Sequence, residues 1–529
     1  MGSKKLQLWL PVLFAITMIL GMLIGFQLNE RTAGSRFFNL SRKTSLQEVV
    51  DLIKGKYVDK IAADSVNQLA VNQLLSHLDP HSVLIPEADL TETNEQLMGN
   101  FQGIGVEFQM VNDTVNVMSV VKGGPSEKVG IQVGDKLYAV NDTNKISGKT
   151  ITPDHIRKLL RGEQGTKVKV SLIREGKSMS VLIERGVIPV PSIDVAYMIN
   201  KETGFLRINR FAERTYEEFM ESMGRLQKQG MKKLILDLRG NGGGLMKEAT
   251  AIADEFLSGD KLIVYTEGDK VKRTDFRAMR DGIFEEGKLI VLIDETSASA
   301  SEVLSGALQD WDRATIIGRR SFGKGLVQKQ FLLSDGSAVR LTVARYYSPL
   351  GRNIQKPYGK DKDAYNEELM ERFHNGSMLK TDTSKPKGKA YKTPVGRTVY
   401  GGGGITPDIF VAFDTSRISA AILKLFYKNT LNNFVYYYYI QNRQRFNAIK
   451  KPTDLLLQFK PGMVELEALR QFAASKDSIL IDGYNEKERF QVAQRLQIMM
   501  ARQIWRTEGY FEVSNLVDSA VIKGLAVLK

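Results

Sequence analysis

Lys233–Leu238 is an apolar run that reads as a strand, and it empties into Gly240, Gly242, Gly243 and Gly244 before a helical pattern continues through Leu257. Glycines at a strand end let backbone N–H groups converge on one point. That is how an oxyanion hole is built, and it is also how a phosphate is cradled. The phosphate reading lacks its spacing, because neither G-x-G-x-x-G nor G-x-x-x-x-G-K-[ST] occurs at this turn.

Downstream, Ser297–Glu302 reads Ser-Ala-Ser-Ala-Ser-Glu and is followed by Phe322-Gly323-Lys324-Gly325. A serine hydroxyl is a poor nucleophile at neutral pH and needs a base within hydrogen-bond reach. A lysine can be that base only when its amine is neutral. Ala298, Ala300, Gly323 and Gly325 allow close approach, and apolar surroundings disfavour the ammonium. Ser299 and Lys324 are therefore the candidate nucleophile and general base, with the amide of Ala300 as a natural oxyanion donor. The plainer reading is a helix start, with Thr296 or Ser297 as cap and Glu302 in the first turn. Other chemistries find little support. The four histidines, His77, His81, His155 and His374, form neither H-E-x-x-H nor a metal-spaced cluster, and no G-x-S-x-G elbow is present. No metal or cofactor is expected.

Several stretches between Leu236 and Asp408 together resemble the carboxyl-terminal processing proteases, serine proteases with a serine–lysine dyad. They are Leu236–Arg239 with its glycines, Ser297–Glu302, Gly306–Asp310, Phe322–Gln328, Ala344–Gln355 and Gly404–Asp408. The resemblance implies Ser299 as nucleophile, Lys324 as base, Gln328 as the group orienting the lysine, and Gly243 with Ala300 as oxyanion donors. Lys324 and Gln328 would meet on one face of a helical turn. Asp310 falls where some members carry an acidic residue implicated in activity, and it reads better as a helix-end or salt-bridging carboxylate. His81 reads as a turn-stabilising residue. Where many members have Asn-Asn-Pro-Gly-Gly, this chain has Gly240-Asn241-Gly242-Gly243-Gly244.

Between Gly99 and Arg185, the order Phe101–Phe108, Gly123–Ile131 and Gly134–Asn141 resembles a PDZ domain, with an alternating strand at Lys167–Ile173 and a short helix near Asp154–Leu160. Such a module adds an extended chain end to a sheet edge and receives its terminal carboxylate on exposed N–H groups. Gly103, Ile104, Gly105 and Val106 are the candidates for that loop.

The 529 residues allow several domains of about 100–200 residues each. The expected fold class is multidomain α+β. Its parts are a transmembrane helix within 1–30, a helical arm at 31–98, a β-rich PDZ domain at 99–186, a mixed α/β serine protease core at 187–414 and a helix-rich C-terminal domain at 415–529. The core is expected to carry a charged, solvent-exposed insertion at 355–400. Leu6–Leu28 is apolar without a formal charge and reads as a membrane anchor or a signal segment, with a retained anchor favoured because no small-x-small cleavage site follows. The expectation is thus a single-pass protein of the cytoplasmic membrane, and the resemblance, not the flanking charges, implies a catalytic part on the periplasmic or extracytoplasmic side. The absence of cysteine excludes disulfides. The net charge of +14 is spread along the chain, so nucleic acid is not an expected partner. Expected partners are protein substrates with free C-termini and the membrane, and the resemblance implies a second copy of the chain through the helical arm. The competing function is an inactive, PDZ-containing peptide-binding scaffold at the membrane.

Overall fold

The computed structural model describes residues 9, 11–12, 14–24, 44–59, 62–111, 113–148, 150–359, 362–376, 378–379, 388–413, 420–481 and 484–529. It divides into two units, residues 1–74 and 75–529. In the first, helix Ser45–Lys56 starts at Thr44, whose side chain accepts a hydrogen bond from the Gln47 amide at 3.4 Å. Among the described residues no helix is long and apolar enough to cross a membrane. This corrects the expected transmembrane helix, and with it the membrane anchor and the single-pass location. The described helical stretch 14–24 spans only about 16 Å at about 1.5 Å per residue, against a bilayer core of about 30 Å. Positions 1–8, 10, 13 and 25–30 of the expected span lie outside the described residues.

The second unit is built around a six-stranded sheet. Its order is Ile193–Met198, Thr203–Ile208, Lys233–Asp237, Lys288–Ile293, Thr315–Gly318 and Ile409–Phe410. The first pair is antiparallel and the rest run parallel. Parallel strands are covered on both faces, which is why Leu234–Leu236 and Leu289–Ile293 are uninterrupted apolar runs. On one face Leu206, Leu236, Val291 and Ile293 pack with Phe219, Ala253 and Leu304 of the flanking helices. On the other, Phe205, Ile235, Ile290 and Ile317 are closed over by Ala520, Val521 and Leu528 of the last helix, Ser519–Leu528. That helix is tied down by Asp518, which caps it and also accepts from Arg239 at 2.9 Å.

Val521 and Leu528 are almost fully buried, and burying such a side chain stabilises by roughly 1.5–3 kcal/mol. Deleting residues 519–529 is therefore expected to lower the thermal midpoint sharply and to raise binding of an apolar dye, because the sheet face around Phe205 and Ile290 opens to water. An unchanged midpoint would show that the helix is dispensable to the core.

A second, antiparallel sheet carries Leu326–Leu332, Ala338–Tyr347, Val83–Ile85, Leu262–Gly268 and Val271–Arg277. A third, small sheet has the order Val106–Val111, Thr114–Val120, Lys136–Val140, Lys167–Arg174 and Lys177–Glu184, with Asn144–Lys145 paired off the path. It packs Val117, Leu137, Val168 and Val170 against Ile156 and Leu160 of helix Pro153–Leu160.

After Ala420 the chain is helical, with Phe434, Phe446, Phe459, Leu469 and Leu496 forming a separate core. Tyr436 and Tyr439 are buried, so these tyrosines serve packing. The long helix Glu486–Ser514 breaks at Arg506, where φ is 61°. There the Arg506 guanidinium pairs with Glu107 and donates to the Met118 carbonyl at 3.3 Å, joining the helical segment to the small sheet.

Candidate active site

The site lies at the carboxyl ends of the parallel strands, where the crevices of α/β sheets form. The turn after Lys288–Ile293 is held by Asp294, whose Oδ1 accepts from the amides of Thr296 at 3.0 Å and Ser297 at 3.1 Å. The Ser297 hydroxyl donates to the Leu238 carbonyl at 2.9 Å, pinning this turn to the neighbouring strand end. Ser299 follows at the N-cap of helix Ala300–Asp310 with φ 55° and ψ −114°. A non-glycine residue at positive φ is strained and persists only where its surroundings impose it.

The glycine loop supplies part of that constraint. Gly243 has φ 100°, and a Cβ there would lie 2.7 Å from Ser299 Cβ and 3.0 Å from the Ala300 nitrogen. Asn241 is fully buried and binds both segments. Its Nδ2 donates to the Ile208 carbonyl at 3.0 Å, and its carbonyl accepts from the Ala298 amide at 3.0 Å and the Ser301 hydroxyl at 2.9 Å. Its Oδ1 accepts the Gly243 amide at 2.9 Å. The expected oxyanion donor Gly243 is thus engaged, whereas the amides of Gly242, Gly244 and Ala300 meet no acceptor among the described residues.

Lys324 is half-buried in the loop before strand Leu326–Leu332. Its Nζ donates to Gln328 Oε1 at 3.1 Å, and Gln328 Nε2 donates to the His81 carbonyl at 2.6 Å. The helical turn expected for this pair is not what brings it together. Gln328 is on a strand, and a bulge between Val327 and Gln328 re-aims the side chain. His81 stabilises its turn through its amide, which donates to Asp79 Oδ1 at 2.8 Å, and its ring meets the Tyr365 hydroxyl at 2.9 Å. Burial, reinforced by the Arg340 guanidinium, holds the Lys324 ammonium below the ordinary lysine range despite the opposing charges of Glu302 and Asp79. Among the described residues no hydrogen bond joins Lys324 Nζ to Ser299 Oγ.

Their main chains are joined by Glu302, which is 1% exposed. Its Oε2 accepts the Ser299 amide at 2.9 Å and the Lys324 amide at 2.8 Å, while Oε1 accepts the Gly323 amide at 2.7 Å and the Ser321 hydroxyl. Burial pushes this carboxyl up to about 7, against the lowering by those four donors. Asp310 lies elsewhere. It is fully buried in an ion pair with Arg352 and accepts from the Ser348 hydroxyl and the Leu350 amide, which is a structural role.

Gly103, Ile104, Gly105 and Val106 line a cavity of about 240 Å³ that also meets Phe101, Pro153 and Leu160. Strand Val106–Val111 is at the sheet edge, paired among the described residues only with Thr114–Val120. Gly105 has φ 74°, a conformation suited to glycine. The cavity therefore combines an unpaired strand edge, a glycine loop and an apolar wall.

A family model described as Peptidase family S41 matches residues 202–365, and one described as PDZ domain matches residues 102–184. Over 343 residues the chain is 32% identical to a probable CtpA-like serine protease of Staphylococcus aureus, covering 64% of this chain and 68% of the relative. The chain belongs to peptidase family S41. A second relative of the same description, from Staphylococcus epidermidis, is 32% identical over 359 residues, 66% of this chain and 72% of that one. Among solved structures, the photosystem II D1 C-terminal processing protease is 26% identical and covers 74% of this chain and 92% of its own, with a TM-score of 0.37. This S41 peptidase is a serine-type peptidase with a PDZ domain, and its resemblance to the carboxyl-terminal processing proteases is upheld.

In the sequence of this S41 peptidase Glu302 reads only as a first-turn residue. The spacing Ser299-x-x-Glu302 is that of a capping box, and it was the available signal. The charged segment expected to be an exposed insertion is in part docked. Arg372, in helix Lys362–His374, donates to the carbonyls of Ser321 at 2.9 Å and Arg320 at 3.2 Å. Lys356 is buried and donates to the Tyr365 carbonyl at 2.9 Å. Lys385, Pro386 and Lys387 lie outside the described residues.

Proposed function

We propose that this S41 peptidase is a serine endopeptidase working through a Ser299–Lys324 dyad on protein substrates whose free C-termini are held by the PDZ domain. The observation that carries the reading is that one carboxylate oxygen, Glu302 Oε2, accepts the amides of both residues, so nucleophile and base share one site. The depressed lysine, with Gln328 as its acceptor, supports the role of a neutral base.

In the proposed reaction the substrate C-terminus adds along strand Val106–Val111, its carboxylate on the amides of the Gly103–Val106 loop, and the preceding chain extends into the protease cleft. Neutral Lys324 takes the proton from Ser299 Oγ as the oxygen attacks a peptide carbonyl. The oxyanion is received by the Ala300 amide and by the glycine loop. Gly243 serves there once its bond to Asn241 is exchanged for the substrate oxygen. Each such donor is worth about 10²–10³ in rate. The C–N bond breaks as the Lys324 ammonium returns its proton to the leaving amine. Water then attacks the acyl-enzyme, giving a proton to Lys324, and Ser299 departs reprotonated.

The test is digestion of an unfolded protein by the 529-residue chain and its Ser299→Ala variant, with fragments mapped by mass spectrometry. Cleavage by the parent alone is expected, and amidating the substrate C-terminus should raise KM by about tenfold, the loss of one charge-assisted contact of roughly 1.5 kcal/mol. Cleavage by Ser299→Ala would refute the nucleophile. Silence from both proteins, with peptide binding intact, would favour the inactive scaffold.

A further inference from the structure

Ala344–Gln355 is one of the stretches carrying the family resemblance, yet the serine–lysine reading gives none of its residues a part. Tyr346 lies in it, on strand Ala338–Tyr347, and its ring is buried in the protease core with Ile354 and Leu304. Its hydroxyl donates to the Ser299 carbonyl at 3.0 Å and, over a shorter contact, to the Lys324 carbonyl. The ring is itself anchored, because the Tyr346 amide donates to the Gly325 carbonyl at 3.1 Å.

Glu302 and Tyr346 thus hold the same two residues through different main-chain groups. One carboxylate oxygen takes both amides, and one hydroxyl meets both carbonyls. A phenol has a single hydrogen, so the two carbonyls share it in a three-centre bond. The arrangement fits a residue that fixes a distance better than one that moves a proton. Both neighbours are acceptors only, and burial, with the nearby Glu302 charge, keeps the hydroxyl protonated well above the ordinary tyrosine range. Ser299 at φ 55° also needs its peptide groups held for its conformation to persist.

We propose that Tyr346 is a positioning residue of this active site, its hydroxyl tying the carbonyls of Ser299 and Lys324 so that nucleophile and base keep one separation. The proposal rests on the dyad reading above. Misplacement by about 1 Å costs a reaction about 10²-fold, so the hydroxyl matters to the rate without touching substrate.

The experiment compares Tyr346→Phe, Ser299→Ala and Lys324→Ala with the parent chain on one peptide substrate, measuring kcat and KM separately over a range of pH. Tyr346→Phe keeps the ring and is expected to lower kcat by about 10–100-fold with KM unchanged. The midpoint of the acid limb should stay in place, because the charged groups that act on Lys324, namely Arg340 from its strand, Glu302 from the helix and Asp79 from the turn, are untouched. Parent-like kcat, or a loss confined to KM, would overturn the proposal. If Tyr346→Phe fails to fold, 3-fluorotyrosine at 346 keeps the shape while strengthening the donor. A kcat change of two-fold or more at constant KM supports positioning, and an unchanged kcat overturns it. Turnover by Ser299→Ala or Lys324→Ala would instead remove the dyad, whereas two dead variants beside a fully active Tyr346→Phe would remove only the positioning role.

Discussion

Lys324→Ala is expected to lower kcat/KM by about 10⁴–10⁶-fold, the scale seen when a nucleophile loses its base. The chain should remain folded, because Lys324 is only half-buried and, among the described residues, its side chain donates one hydrogen bond, to Gln328. In the parent, turnover should rise with pH along a limb set by deprotonation of Lys324. The working form is the neutral amine, and burial with Arg340 depresses the value, so the limb falls below the ordinary lysine range. Arg340→Gln removes the neighbouring positive charge and should move that limb to higher pH. A steady-state pH profile of the three proteins reads both effects. Activity in Lys324→Ala, or a limb at the ordinary lysine value, would rule out the neutral-lysine mechanism.

Glu302→Ala is expected to be nearly as damaging, and through a different route. It removes the almost fully buried acceptor of the amides of Ser299, Gly323 and Lys324 and the hydroxyl of Ser321, each group left unsatisfied costing about 1–3 kcal/mol. Both turnover and thermal stability should fall, with the midpoint dropping by at least about 2 °C if even one group stays unpaired. The carboxyl also adds a pH dependence. Its value is raised to about 7, so the ionised acceptor is present above that value and is lost as pH falls through it. Protonation leaves one donor without a lone pair, and parent turnover should decline on the acid side for this second reason. Glu302→Gln, assayed over the same range, should lose that component. A fully active and fully stable Glu302→Ala would show that the carboxylate only caps its helix.

The two catalytic candidates were legible because their chemistry constrains residue type and neighbours. A serine and a lysine among alanines and glycines suit that chemistry but also suit a capped helix start, and it was the order of several motifs along the chain that favoured the first reading. The PDZ domain was legible for a similar reason, since its glycines and alternating strands occur in a recognisable order. Local periodicity misled at Gln328, where the interval from Lys324 suited a helical turn and a bulged strand produced the meeting instead. It misled again at the N-terminus, where an apolar composition suggested a membrane span that no described helix is long enough to make.

By itself, then, the sequence determined which residues are candidates for chemistry and where a strand ends in glycine, because these depend on neighbours a few positions away. Only the tertiary structure decided how they are held. Glu302 joins a helix to a loop beyond its own element, and Tyr346 reaches Ser299 from another sheet. Asn241 occupies the Gly243 amide, and the last helix closes a sheet whose strands lie far earlier in the chain. Such contacts leave no periodic trace along the chain. They depend on burial and on the hydrogen bonds that buried polar groups must find, and both exist only once distant segments pack.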